Sequence, residues 1–159
     1  MHDQITIRKA TPEDAKILAR QRLMMFEEMD HDPIERLTEM EQRFIPWVRD
    51  KIIAGEYHGW LAVDEDGVAV AGIGLWIHEW LVNPRDFSGK RAHVLNVYTD
   101  QAYRKRGVAR NLMNELLALC REQGIPKITL SASRDGQHLY ETLGFKPDPR
   151  WMILQLKDS

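Results

Sequence analysis

Three adjacent cations, Arg104, Lys105 and Arg106, stand directly before Gly107, Val108 and Ala109. The flanking residues differ in period. His93 to Thr99 is apolar and β-branched enough for a strand, whereas Val108, Leu112, Leu116 and Leu119, with Ala109, Met113, Leu117 and Cys120 alongside, repeat at helical spacing. The cationic turn therefore lies where a helix begins, and a helix start presents unpaired backbone N–H groups with partial positive charge. Three like charges at that end are unfavourable unless an anion sits among them. A glycine that lets a ligand approach the backbone, beside arginine and lysine, suits a phosphate, and the turn reads as a pyrophosphate cradle.

The pattern Arg-x-x-Gly-x-Ala, filled by Arg104, Gly107 and Ala109 after Val97-Tyr98-Thr99, resembles the acetyl-CoA signature of the GNAT superfamily of N-acetyltransferases. Downstream, Leu139-Tyr140-Glu141-Thr142-Leu143-Gly144-Phe145 resembles that family's Tyr-x-x-x-Gly-Phe segment, at the expected distance and with a strand candidate between. The resemblance runs from Ile5 to Leu156 and is detailed from His93 onward. It implies a mixed α/β fold, a central and mostly antiparallel twisted sheet with a splayed central strand pair and helices on both faces. It also implies a reaction, transfer of an acetyl group from acetyl-CoA to a primary amine of a small molecule or peptide, without a covalent enzyme intermediate.

By the same resemblance, the pyrophosphate takes the N–H groups of Arg104, Lys105, Arg106, Gly107, Val108 and Ala109, with the Arg104 and Arg106 side chains and Asn111 alongside. The thioester arm lies against exposed backbone of Val97, Tyr98 and Thr99. Ser133 stands about where relatives often carry a coenzyme-contacting Asn, and Lys105 where many have Gly. Homodimers are common among such relatives, although no feature of this sequence supports one.

Acetyl transfer needs a neutral amine, donors for the developing oxyanion and a proton for the departing thiolate. Tyr140 matches the family's general-acid tyrosine. The base is open among Glu27, Glu28, Glu79 and His93, with Glu28 and Glu79 placed by position near the acceptor, and a water chain could replace any of them. A catalytically silent coenzyme-binding module fits the same motifs.

The elements that must position these groups follow from pattern. Ile5 to Lys9 alternates as a first strand, and Thr11-Pro12-Glu13-Asp14 opens a helix whose Ala15, Leu18, Ala19, Leu23, Phe26 and Met29 are expected in the core. Pro33 opens a second helical stretch through Met40, interrupted at Pro46 before Trp47 to Ala54. His58 to Val63 and Val68 to Ile77 flank an Asp64-Glu65-Asp66-Gly67 turn as a hairpin, and Gly72 and Gly74 mark a bulge or a bend. The turn-rich loop from Leu81 to Arg91, with Trp80 before it, is expected to border the acceptor. Lys127 to Ala132 reads as a strand, Tyr140 falls on a short helix, and Trp151 to Leu156 alternates like a final antiparallel strand.

A chain of 159 residues without repeats or linkers suits one domain, residues 1–159. A net charge of −2 argues against bulk attraction to nucleic acid or membrane, which usually takes a basic domain. The N-terminus lacks the apolar core of a signal peptide and the apolar run Val68 to Ile77 is too short to span a bilayer, so a cytoplasmic location is expected. Cys120 is the sole cysteine, which excludes an internal disulfide. His31, beside Asp30 and Asp32, has no second His at ligand spacing, and no metal is expected.

Overall fold

A computed structural model of the chain describes residues 4–157. Strand β1 (Thr6–Lys9) leads through a 3-10 turn at Pro12–Asp14 into helices α1 (Ala15–Asp30) and α2 (Ile34–Ile53). Strands β2 (Tyr57–Val63), β3 (Ala69–Glu79) and β4 (Lys90–Thr99) follow, then α3 (Val108–Glu122), β5 (Ile128–Leu130) and α4 (Gln137–Thr142). The strands form one sheet in chain order, antiparallel from β1 to β4 and parallel between β4 and β5.

Because side chains alternate across a strand, each face of the sheet carries its own apolar set. On one face Tyr57 and Leu61 pack against Leu18 and Ala19 of α1 and Phe44 and Val48 of α2. On the other, Ile73, Leu75 and Val94 pack against Leu112, Met113 and Leu116 of α3. Helices on both faces of a mostly antiparallel sheet are the architecture expected from the sequence. The entry to α1 is clamped: Arg8 gives the Asp14 carboxylate two hydrogen bonds of 2.8 and 2.9 Å, and the Thr11 N–H adds a third of 2.8 Å.

Several expectations change in detail. Pro46 does not interrupt the second helix; it sits on the exposed side of α2, where water can serve the carbonyl that loses its partner, while buried Phe44 and Val48 hold the turns around it to the sheet. The hairpin turn forms as expected, with the Asp64 carboxylate accepting the N–H groups of Asp66 and Val68, each at 2.9 Å. The tail differs most. Residues 151–156 join no strand, and Met152 and Ile153 are each 93% exposed. Alternating apolar residues make a strand only where an edge accepts them, and β5, three residues long, pairs with β4 alone.

Candidate functional site

The site opens where the sheet comes apart. Strand β4 holds β5 only through Ala92, His93 and Val94, paired with Ile128, Thr129 and Leu130. Beyond Val94 that edge of β4 has no neighbouring strand among the described residues. On its other edge the register slips: Leu95 faces Gly74 but Tyr98 faces Gly72, so Ile73 stands opposite both Asn96 and Val97. The extra residue makes a bulge, and Asn96 takes it in the left-handed region at φ 59°. Gly72 and Gly74 are required there, since a Cβ would collide with the Gln21 amide oxygen at the first and the Tyr57 hydroxyl at the second.

Asn96 is buried, and its amide does two jobs. Its Nδ2 donates to the Leu18 carbonyl at 3.0 Å, and its Oδ1 accepts from the Arg22 guanidinium at 2.9 Å. Arg22 in turn lies 5.0 Å above the Phe26 ring and 5.1 Å from that of Phe44.

Between α1, α2 and the parted strands lies a cavity of about 670 Å³. Met25, Phe26 and Met29 line it, so the methionine and phenylalanine face expected in the core is instead a cavity wall. Helical spacing identified the apolar face, and the splay of β4 leaves that face without a sheet to cover it. Opposite them, Trp47 and Trp76 meet edge to face at 5.5 Å.

His93 and Tyr140 also line the cavity. The Thr129 hydroxyl lies 3.4 Å from the Ala92 carbonyl, to which it donates, and 2.8 Å from His93 Nδ1. The 2.8 Å contact orients the imidazole, and where the hydroxyl gives its hydrogen to Ala92 it accepts from Nδ1–H and the lone pair falls on Nε2. Burial, and then the neighbouring His78 and Arg22, hold the imidazole below its ordinary pKa. Tyr140 is 7% exposed, and burial raises its phenol above the usual value. Phe145 packs against its ring at 6.0 Å, and Gly136 lies so close that a Cβ there would come within 2.9 Å of it. Ser133 lines the same cavity and its Oγ accepts the Gly136 N–H at 3.1 Å.

The cationic turn ends on Gly107, the residue before α3, at φ 79°. Lys105 is also left-handed, at φ 62°, which accounts for a position where a glycine is the easier fit. The Asn111 N–H bonds the Gly107 carbonyl at 3.0 Å; among the described residues the N–H groups of Val108, Ala109 and Arg110 have no backbone acceptor. They are what a helix start offers an anion. Arg104 turns the other way: its Nε donates to the Thr99 carbonyl at 2.8 Å and its Nη2 to Glu28 at 2.6 Å. Arg106 stacks on Tyr103 with 5.2 Å between guanidinium and ring centre. Asn111 is exposed in the first turn of α3.

Glu28 is thus engaged by Arg104, and Glu79 is exposed at the end of β3 opposite Lys90; neither lines the cavity. Trp80 lies elsewhere, stacked on Arg91 at 3.9 Å, beside a groove of about 770 Å³ that follows β5 and reaches Trp151. Of the loop that follows, residues 81–90, with Leu81 and Phe87 exposed, line neither space, and Arg91 is its one residue on the groove. Cys120 is buried, and burial pushes its thiol up to about 11. Among the described residues no group of three or more His, Cys, Asp or Glu is placed to hold a metal ion, and no helix is long and apolar enough to cross a membrane.

Residues 22–145, well over half of the 159, match the model of the Acetyltransferase (GNAT) family. The chain belongs to the GNAT family. A GCN5-related N-acetyltransferase from Ralstonia eutropha JMP134 is similar throughout, with a TM-score of 0.87 and 32% identity over 97% of this chain and 100% of that one. A predicted acetyltransferase from Clostridium acetobutylicum, solved with acetyl-CoA, has the same fold at a TM-score of 0.88 and 22% identity, over 96% and 97% of the two chains. Glucosamine 6-phosphate N-acetyltransferase of Trypanosoma brucei brucei is 33% identical over 78 residues, 48% of this chain. That match spans about half, 53%, of the curated relative's length.

Within this GNAT fold, sequence reasoning passed over Arg22 and Asn96. Each carried a signal. Asn96 is an isolated amide in the apolar run Val94-Leu95-Asn96-Val97, a poor strand former that tolerates the left-handed region. Arg22 interrupts the stripe Leu18, Arg22, Phe26, one helical turn apart at each step.

Proposed function

We propose that this chain transfers the acetyl group of acetyl-CoA directly to the primary amine of a small molecule held in the 670 Å³ cavity. One observation carries the reading. The unpaired stretch of β4, the Tyr140 phenol and a neutral imidazole face a single space, and the bare start of α3 follows directly from that strand. A diphosphate fits that start, because three N–H groups lack backbone acceptors and the space where Gly107 would carry a side chain is open to 4 Å. Acetyl-CoA supplies the activated acyl group; the remaining tasks fall to the chain.

Backbone N–H groups of β4 beyond Val94 offer hydrogen bonds to the thioester carbonyl as its oxygen gains charge. His93, whose imidazole burial holds below its ordinary pKa, removes the proton from the attacking amine. We place the base there rather than at Glu28, which Arg104 engages, or Glu79, which lies outside the cavity. Tyr140, a phenol that stays protonated through neutral pH, returns a proton to the departing sulfur. Ser133 supports it by bonding the turn that carries Gly136. Enclosure between two helices favours a small amine over a peptide. The apolar tail and the free edge of β5 are the surfaces on which a second copy would pair, and a homodimer is proposed on that ground.

The test is release of free thiol from acetyl-CoA across a panel of amines. Turnover with at least one amine supports the reading. Neither turnover nor a rise in melting temperature with acetyl-CoA would remove it; binding without turnover would leave a coenzyme-binding module.

A further inference from the structure

The guanidinium of Arg22 is half-buried and has no anion beside it among the described residues. It lines the cavity, and among the described residues its hydrogen bond goes to a neutral amide oxygen, that of Asn96 at 2.9 Å. Among the described residues no carboxylate makes an ion pair with it, although Arg8, Arg20, Arg43, Lys51, Arg104 and Arg150 each have one. Its other close neighbours are the rings of Phe26 and Phe44. Asp30 lines the same cavity, but eight residues along α1 from Arg22, about 12 Å at 1.5 Å per residue. Guanidinium carries five N–H donors, and burying a cation without an anion is costly. The fold nevertheless spends a left-handed residue, Asn96, on holding this cation in place.

We infer that the amine acceptor carries an anionic oxygen group, a carboxylate or a phosphate, and that Arg22 binds it. The inference rests on the acetyl-transfer reading of the same cavity. The aromatic wall of Phe26, Phe44, Trp47 and Trp76 then takes the body of the acceptor, with the anion at Arg22 and the amine toward His93 and Tyr140. Arg22 also raises the electrostatic cost of protonating His93, so an anion bound at Arg22 relieves that effect and strengthens the base.

Matched amines decide the matter: leucine against isoamylamine, phenylalanine against phenethylamine, and phosphoethanolamine against ethanolamine. The anionic member of at least one pair should be preferred by about 10- to 100-fold in kcat/KM, the range of a charge-assisted hydrogen bond, and which pair responds separates carboxylate from phosphate. Arg22→Met should bring that ratio close to one, and Arg22→Lys should keep part of it. Equal use of both members by the wild type, or a preference that survives Arg22→Met, overturns the inference. Calorimetric titration of the N-acetylated products reads binding without turnover. Should no amine react, the transfer reading fails, and the titration still decides: heat with the anionic products alone, lost in Arg22→Met, supports the anion site, and no heat refutes it. Retention of the acetyl-CoA thermal shift shows that each variant is folded.

Discussion

Replacing Gly136 with alanine tests whether Tyr140 is fixed where it must work. Gly136 has φ −85°, so alanine meets no backbone strain and the cost is contact alone. The new Cβ would lie 2.9 Å from the Tyr140 ring and 3.2 Å from Ser133 Oγ. Carbon atoms prefer about 3.5 to 4.0 Å, so the ring must retreat by roughly 0.6 to 1 Å. Phe145, packed against the same ring, limits where it can go. Overpacking of this kind costs about 1–3 kcal/mol, and each kcal/mol lowers the melting temperature of a chain this size by about 2–4 °C. A displacement near 1 Å at a proton donor costs up to about 100-fold in rate. The assay is steady-state kcat and KM for acetyl-CoA in Gly136→Ala, Tyr140→Phe and the double variant. We expect kcat to fall about 10- to 100-fold in Gly136→Ala, the KM for acetyl-CoA to hold, and the double variant to be no slower than Tyr140→Phe alone. Wild-type kcat in Gly136→Ala, or multiplied penalties in the double variant, would refute the positioning of Tyr140.

Three further outcomes follow from the same geometry. His93 must be neutral to act as a base and burial holds its folded pKa below the ordinary value, so kcat at saturating amine should be flat near pH 7 and fall only as pH drops through that lower value; His93→Gln should lose rate and the acid limb together. Lys105→Gly relieves a left-handed residue worth about 1–2 kcal/mol while adding about 0.5–1 kcal/mol of unfolded-state entropy, so the thermal midpoint should hold or rise slightly, with acetyl-CoA binding no weaker. Asp14→Asn should lose about 1 kcal/mol by urea titration at pH 7, modest because Arg8 is 41% exposed. The Arg8 bonds hold Asp14 below the ordinary carboxylate pKa, so this stability is complete above the ordinary value and lost as pH falls through the lower folded pKa, where variant and wild type should converge.

What the sequence made legible was local. The cationic turn lies before a helix start because strand and helix periods meet there, and α3 does begin at Val108. Lys105, which stands where many relatives have glycine, is left-handed, a conformation its residue type did not announce. What it hid was tertiary. Arg22 and Asn96 are 74 residues apart, and only the packing of α1 across β4 brings them together. Periodicity showed that Phe26 and Met29 share the apolar side of α1, but a cavity wall and a core use the same residue types, and the parting of β4 from β5 decides which they become. The tail has a strand's alternation, but the edge beside it, β5, is only three residues long, and that length is not written in the tail.

Arg104 reaches from the turn before α3 to the last carbonyl of β4 and to Glu28 on α1, the helix that also carries Arg22 and Phe26. Under the proposed function that exposed bridge predicts a thermodynamic link between the two substrates: ordering the turn restrains the far end of α1, and filling the space beneath α1 restrains the turn. Such a pair is worth at most about 1 kcal/mol, so each ligand should sharpen the affinity for the other by no more than about fivefold, and by the same factor in either order of addition.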